Sequence, residues 1–236
     1  MCFLFEQYLS GREIANKYNL NYKLQEITNL EGINIGYEIL IDAKGFSVRQ
    51  VDEIYNKGLM YPHPTKKLMR RIENYIEGGG QLLSGKSLFV NLERSHLCDK
   101  FLLCDIVILS KKLAHQNASL IIELTERDIC GKCSKIDEGI YFLKKNKILL
   151  ALDDYNINEG DFRNDELDAK VYNFIKIDFS SITNNLNYIE EILKKYDLKL
   201  IVEYIESESD KEWISENLKN TWALQGYLYN TFPIEI

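Results

Sequence analysis

The chain has 236 residues, 45% of them hydrophobic, and a formal net charge of −7. That is enough apolar material for one sizeable core, so a single domain over residues 1–236 is the simplest organisation. The acidic balance argues against a DNA or RNA polymer as partner, because a phosphate backbone is gripped by clustered Lys and Arg; it leaves open a nucleotide held through a metal, which brings its own positive charge.

No segment reaches the roughly 18 apolar residues that a membrane span requires, so no membrane association is expected. The start, Met1 to Phe5, is apolar but short. It lacks a basic leader and is soon followed by Glu6, Arg12 and Glu13, so no secretory signal is expected. Residues 1–20 are expected to form an N-terminal helical extension. Five cysteines, in a chain too large to depend on disulfides, point to a reducing cytoplasm.

In chain order, Tyr22–Ile27 reads as an early strand. Ile33–Tyr37 is a short apolar run closing on Glu38. Lys66–Ile76 has helical period, with Leu68, Met69, Ile72 and Ile76 on one side. Further short runs follow: Ser87–Val90 closes on Asn91, Leu120–Ile122 on Glu123, and Lys147–Leu152 on Asp153. Tyr172–Ile175 closes on Lys176. A second helical pattern spans Ile182–Tyr196, with Leu186, Ile189, Ile192 and Leu193 together. Leu198–Val202 closes on Glu203, a third helical pattern covers Asp210–Leu218, and Trp222–Leu224 closes on Gln225.

Short runs rich in Ile, Leu and Val suit buried parallel strands, and their alternation with amphipathic stretches suits βαβ units. Seven such strands and the early run give about the eight of an α/β barrel. The C-terminal strand ends of a barrel form one mouth, so the closing polar residues are expected to converge there. A single strand often ends on a polar residue because it meets water. A set holding four carboxylates, an amide, a Lys and a Gln needs more than that.

Hard divalent cations such as Mg²⁺ and Mn²⁺ prefer carboxylate, amide oxygen and water. Glu38, Asn91, Glu123 and Asp153 could fill four positions, and Asp154, next along, could bind a second ion. Lys176 could hold a water or neutralise phosphoryl charge, and Glu203 suits a general base.

In this order the motifs GYEIL (36–40), FVNLE (89–93), IELTERD (122–128), LALDDY (150–155), FIKID (174–178), VEYIE (202–206) and LQGYLY (224–229) resemble the EAL domain family, over about residues 20–236. The resemblance implies a TIM-like (β/α)8 barrel of the EAL type, with the early strand free to run antiparallel. It implies a phosphodiesterase that hydrolyses cyclic di-GMP to linear pGpG with one or two Mg²⁺ or Mn²⁺ ions and a metal-activated water. Glu38, Asn91, Glu123 and Asp153 are then the first-metal ligands, and Asp154 serves the second metal. Lys176, Glu203 and Gln225 surround the water and second ion, Glu126 tethers the loop after Asp154, Glu206 supports the site, and Gln25 helps hold ligand. The resemblance also suggests a homodimer.

The sequence departs from the pattern in places. Glu-Ile-Leu replaces Glu-Ala-Leu, but Ile39 should face away from Glu38. Asp42 stands where the family has a phosphate-gripping arginine, and Arg49 is a candidate substitute. The loop after Asp154 carries Asn156 and Asn158 where glycines are usual, and Asn tolerates left-handed backbone. Tyr204 replaces the glycine of a Glu-Gly-Val-Glu motif, and residues 43–85 match poorly.

Gly80–Ser87 has P-loop spacing, but a helical pattern precedes it and a strand follows, the reverse of what phosphate cradling needs, so a helix stop is expected. Cys130 and Cys133 form a lone CxxC without a second ligand pair. His63, His96 and His115 are expected in surface or packing roles. Two functions stay open: an active phosphodiesterase, or a silent EAL-like domain that binds cyclic di-GMP or a protein partner. A phosphodiesterase for another nucleotide is a third reading. A silent domain has no reason to gather carboxylates whose repulsion costs stability, which favours the active reading.

Overall fold

The computed structural model describes residues 17–125, 133–157 and 161–236. Of the expected N-terminal extension only 17–20 falls within them, where Tyr18 and Leu20 are buried and Arg71 donates to the Leu20 carbonyl at 2.6 Å. Strand β1 (Asn21–Thr28) turns through Gly32, at φ +77°, into β2 (Asn34–Asp42), and the two pair antiparallel.

Six parallel strands follow: β3 (Ser87–Leu92), β4 (Ser119–Leu124), β5 (Leu149–Leu152), β6 (Phe174–Asp178), β7 (Lys199–Glu203) and β8 (Ala223–Leu224). Strand β8 returns to β1 at Thr28–Leu224, and β9 (Thr231–Ile234) extends that edge along Tyr22–Gln25. The sheet is therefore a closed eight-strand barrel, β1 antiparallel and β2 to β8 parallel. Closure removes the unpaired edges that an open sheet exposes.

The helices lie outside, between consecutive strands. Helix α1 (Val48–Glu53) starts at a capping box of Ser47 and Gln50 and runs into a π-turn at Ile54–Gly58. Helix α2 (Pro62–Glu77) begins four residues before the periodic pattern, with Pro62 in its first turn where no N–H is needed. Helix α3 (Lys100–Ala114) is capped by Asp99, α4 is Ser134–Lys145, α5 is the short Asn164–Asp168, α6 (Phe179–Tyr196) is capped by Asp178, and α7 is Glu208–Asn217. The segment with P-loop spacing lies between α2 and β3, as its sequence order requires of a helix stop. The left-handed residue just past α2 is Gly79, at φ +87°.

Inside the barrel, Ile27, Phe89, Ile121, Ala151, Phe174, Ile201 and Ala223 form their own apolar cluster, separate from the larger core between barrel and helices. Phe89, Phe174 and Trp222 pack with ring centroids 4.9 to 6.1 Å apart. Strand β2 contributes Gly36 at the equivalent position. A β-carbon there would come within 2.5 Å of the Ser87 carbonyl oxygen, so the close approach of β2 to β3 admits no side chain. The barrel is plugged, not hollow, and the plug forms the floor of the site.

Candidate active site

Two residues beyond the plug, each strand places one more inward-facing side chain near the C-terminal rim. These are Gln25, Glu38, Asn91, Glu123, Asp153, Lys176, Glu203 and Gln225. The period of two along a strand puts them on the plug's side of the sheet. The direction is reversed only in β1, where antiparallel pairing sets Gln25 opposite Glu38. The expectation that Glu38 ends its strand is corrected: β2 continues to Asp42, because β1 pairs with it along that whole length.

Lys176 stands at the centre, 1% exposed. Its ammonium lies 2.9 Å from Glu203, 3.0 Å from Glu123, 3.1 Å from Glu38 and 3.4 Å from Asp153. Glu38 also accepts from Asn91 Nδ2 at 2.7 Å and from Gln225 Nε2 at 2.5 Å. The same Gln225 amide reaches Gln25 Oε1 at 3.1 Å, tying β8 to β1 and β2. Asp154 lies on the solvent side, with a carboxylate oxygen within 4.8 Å of oxygens of Asp153 and Glu203. Its backbone is left-handed, at φ +45°.

One ammonium lies within 3.4 Å of four carboxylates, and their protonation reflects that imbalance. Burial pushes the Glu123 carboxyl well above the usual range, and the Glu38 charge adds to it. Burial likewise raises Asp153, against the opposing pull of Lys176. Glu203 is pushed up to about 8, mainly by burial. Glu38 alone is lowered: burial pushes it up, but Lys176 and the Gln225 and Asn91 hydrogen bonds outweigh that. Burial disfavours the charged form of Lys176, yet the surrounding carboxylates raise it well above the ordinary lysine value.

Both Glu123 oxygens, Glu203 Oε2 and Gln225 Oε1 are buried without a hydrogen-bond partner. The Lys176–Glu123 contact is close in distance but not aligned as a hydrogen bond. Buried acceptors without donors are costly. A divalent cation satisfies carboxylate and amide oxygens together, and this all-oxygen donor set fits a hard one. Asp153, Asp154 and Glu203 are close enough to share an ion.

The remaining expectations divide. Glu126, Cys130 and Asn158 lie outside the described residues. Glu206 is exposed, and its described contact is made by its backbone N–H, which donates to Asp210 at 3.1 Å. Asn156 does not adopt the left-handed geometry expected of it; among the described residues of that loop, Asp154 does. Asp42 accepts from the Lys44 N–H at 3.0 Å and so closes its own turn, while Arg49 is exposed on α1. Cys133 has a free, half-buried thiol. His96 is buried, and desolvation lowers its pKa to about 4.

Sequence reasoning missed the supports behind the acidic rim. Arg163 is fully buried and forms a fork-to-fork pair with Asp161 at 2.6 and 2.9 Å. Its remaining N–H groups donate to the carbonyls of Leu124 at 3.0 Å and Asp154 at 3.4 Å. One side chain thus ties the end of β4 to the backbone of Asp154. Beside it, Arg94 pairs bidentately with Glu166, which also accepts from Tyr172, and Thr125 donates to Glu93 at 3.0 Å. Arg94 and Glu166 are 72 positions apart, and no periodicity announces such a pair.

A cleft of about 220 Å³ opens from this rim. Asn91, Asp153 and Asp154 line its polar end; Tyr55, Leu59 and Leu68, from the π-turn and α2, line its apolar end.

This architecture has known counterparts. The chain superposes on an EAL domain protein from Listeria monocytogenes EGD-e with a TM-score of 0.66 at 16% identity, covering 99% of this chain and 96% of that one. It superposes on Klebsiella pneumoniae BlrP1, in a manganese/cy-diGMP complex, with a TM-score of 0.68 at 16% identity, covering 92% and 57% of the two chains. The fold is therefore that of EAL domains, a mixed α/β TIM-like barrel. Among curated proteins, the "Probable cyclic di-GMP phosphodiesterase PdeG" of Escherichia coli (strain K12) is 20% identical over 170 residues. That match takes in 68% of this chain and 33% of PdeG, so the chain spans about one third of that relative's length. No family model matches the chain. Among the described residues no helix is long and apolar enough to cross a membrane.

Proposed function

We propose that this chain is a divalent-metal-dependent phosphodiesterase of the EAL type, hydrolysing cyclic di-GMP to linear pGpG. The observation that carries the reading is the meeting of Glu38, Glu123, Asp153 and Glu203 within 3.4 Å of one buried ammonium, with buried carboxylate oxygens left unpartnered. A carboxylate set of this density is stable only beside positive charge, and one lysine supplies too little.

In this reading Glu38, Asn91, Glu123 and Asp153 hold one Mg²⁺ or Mn²⁺, and Asp154 joins a second. Bound ions supply Lewis-acid charge for the phosphoryl oxygens and lower the pKa of water. The rest falls to the chain. Glu203, its carboxylate 2.9 Å from the Lys176 ammonium, accepts the proton of the attacking water. The water oxygen bonds to phosphorus as the bond to the 3′ oxygen breaks; the 3′ oxygen takes a proton from solvent and the phosphate stays on the 5′ oxygen, giving pGpG. Lys176 places its ammonium beside the developing phosphoryl charge. Gln225 and Gln25 keep Glu38 oriented through their shared amide contact. Glu126 and Glu206 act in support of the site. A cytoplasmic setting and a homodimer belong to the same proposal.

One observation favours the second reading, a silent module that binds cyclic di-GMP or a protein partner. Asp42 replaces the expected arginine and is engaged in its own turn, so it offers substrate no positive charge. Hydrolysis of cyclic di-GMP with Mg²⁺ or Mn²⁺ separates the two. Turnover by the wild type is expected, with losses of at least about 100-fold in Glu38→Ala and Glu203→Gln. Tight binding without turnover assigns the silent role instead.

A further inference from the structure

Tyr204 follows Glu203 directly and holds a left-handed backbone, φ +58°. For a bulky residue this is a strained conformation. The frame around it imposes the turn. Glu203 is paired with Asp178 at the end of β7, the Ile205 N–H donates to the Gln225 carbonyl at 3.0 Å, and the Ile205 carbonyl accepts from Leu228 at 3.0 Å. Gly226 packs so tightly that a β-carbon there would lie 2.2 Å from the Ile205 carbonyl oxygen. A glycine at 204 would take this turn without strain.

The chain carries an aromatic residue there instead, and its side chain does little for the fold: Tyr204 is 57% exposed. It directly follows Glu203, whose carboxylate lies 2.9 Å from the Lys176 ammonium, so Tyr204 stands at the edge of the acidic rim. The cleft at that rim, lined by residues from β2 and α2 through Asp154, does not include Tyr204. At about 220 Å³ it is smaller than the roughly 300–1,000 Å³ of ordinary ligand pockets. A cyclic dinucleotide carries two purines, more than a cleft of this size would enclose, so one nucleotide half would lie outside it at the mouth.

We propose that Tyr204 is a specificity-determining residue, whose exposed ring stacks on the purine of the nucleotide half outside the cleft. This rests on the cyclic di-GMP reading above. Every base offers a π-face, and an aromatic side chain at a rim is a suitable platform for it. Strain tolerated at an exposed aromatic beside a site is consistent with a gain realised only when ligand is bound.

The test uses the full chain and four variants: Tyr204→Phe, Tyr204→Ala, Tyr204→Gly and, as a distant control, Tyr141→Ala on α4. Cyclic di-GMP is titrated calorimetrically with Mn²⁺ or Ca²⁺, KM and kcat are measured with Mn²⁺, and melting temperatures are recorded. Tyr204→Phe and Tyr141→Ala should keep the wild-type Kd and KM within about twofold. Tyr204→Ala and Tyr204→Gly should raise Kd and KM roughly tenfold while kcat falls less than about threefold. Tyr204→Gly should melt no lower than the wild type, since glycine relieves the left-handed strain. Unchanged binding in Tyr204→Ala and Tyr204→Gly overturns the inference, as does Tyr204→Phe losing as much as Tyr204→Ala. A wild type that neither binds nor hydrolyses cyclic di-GMP overturns the functional reading itself and the role of Tyr204 with it.

Discussion

Two layers of inward-facing side chains lie two residues apart on every strand of this barrel, and they obey opposite rules. The lower layer, from Ile27 to Ala223, is apolar and interlocked through Phe89, Phe174 and Trp222. The upper one, from Gln25 to Gln225, gathers four carboxylates around a single buried ammonium, with several oxygens lacking a donor. Burial stabilises the first through area removed from water. In the second, the same burial penalises every ionised carboxylate it encloses. The contrast separates a layer that burial stabilises from one that burial alone cannot stabilise.

The largest effect that would break this comparison is expected in the plug. Phe89→Ala should cost about 3–5 kcal/mol of stability in chemical denaturation, through lost transfer energy and the cavity left behind. That loss should be independent of divalent ions; full recovery in Mn²⁺ would mean that the two layers are not separable. Next is the ion itself. Mn²⁺ at about 100 times its Kd should stabilise the wild type by roughly 2.7 kcal/mol, read as a raised melting temperature. No shift at millimolar Mn²⁺ would remove the ligand set from consideration.

The upper layer has a pH signature of determined sign. Glu203 is raised from 4.5 to about 8 in the folded chain, so the folded state binds more protons than the unfolded one across that window. Its contribution is fully present below about pH 4.5 and is lost as pH rises through about 8; Glu123 and Asp153 are shifted the same way. In chelator, stability should therefore fall over this range by about 1–3 kcal/mol. Glu203→Gln should flatten the fall, and Mn²⁺ should oppose it. A wild-type profile rising with pH would contradict this charge balance.

The smallest effect concerns the support behind the rim. Arg163→Lys keeps a cation against Asp161 but cannot reproduce the fork and the two carbonyl contacts. It should weaken Mn²⁺ binding roughly tenfold by calorimetry, as loss of an outer supporting contact does, with Glu38→Ala losing far more. An unchanged Mn²⁺ affinity would leave Arg163 a purely structural residue.

Seven of the eight strands were legible because each is a short, mostly apolar run closing on one polar residue, a local pattern that survives in a single sequence; the early strand at Tyr22–Ile27 was read apart from them. The order of those polar residues also identified the rim, because alternation along a strand fixes which side chains share a face. Helix α2 was legible from Leu68 to Ile76, but its start at Pro62 was not, because two prolines in the first turn carry no amphipathic signal.

Other features depend on distant partners. The length of β2 beyond Glu38 follows from its pairing with β1. The position of Lys176 among four carboxylates brings together residues up to 138 positions apart. Arg163 in its buried fork follows from the packing of the segment after β5 against the end of β4, and Tyr204 in its strained turn from the packing of the β7 loop against the residues after β8. Sequence by itself determined which side chains point into the barrel, because that needs only the two-residue pleat. Only the closed sheet decided how near they come, and so how strongly their charges act on one another, because Coulomb energies depend on distance and burial, which no local pattern encodes.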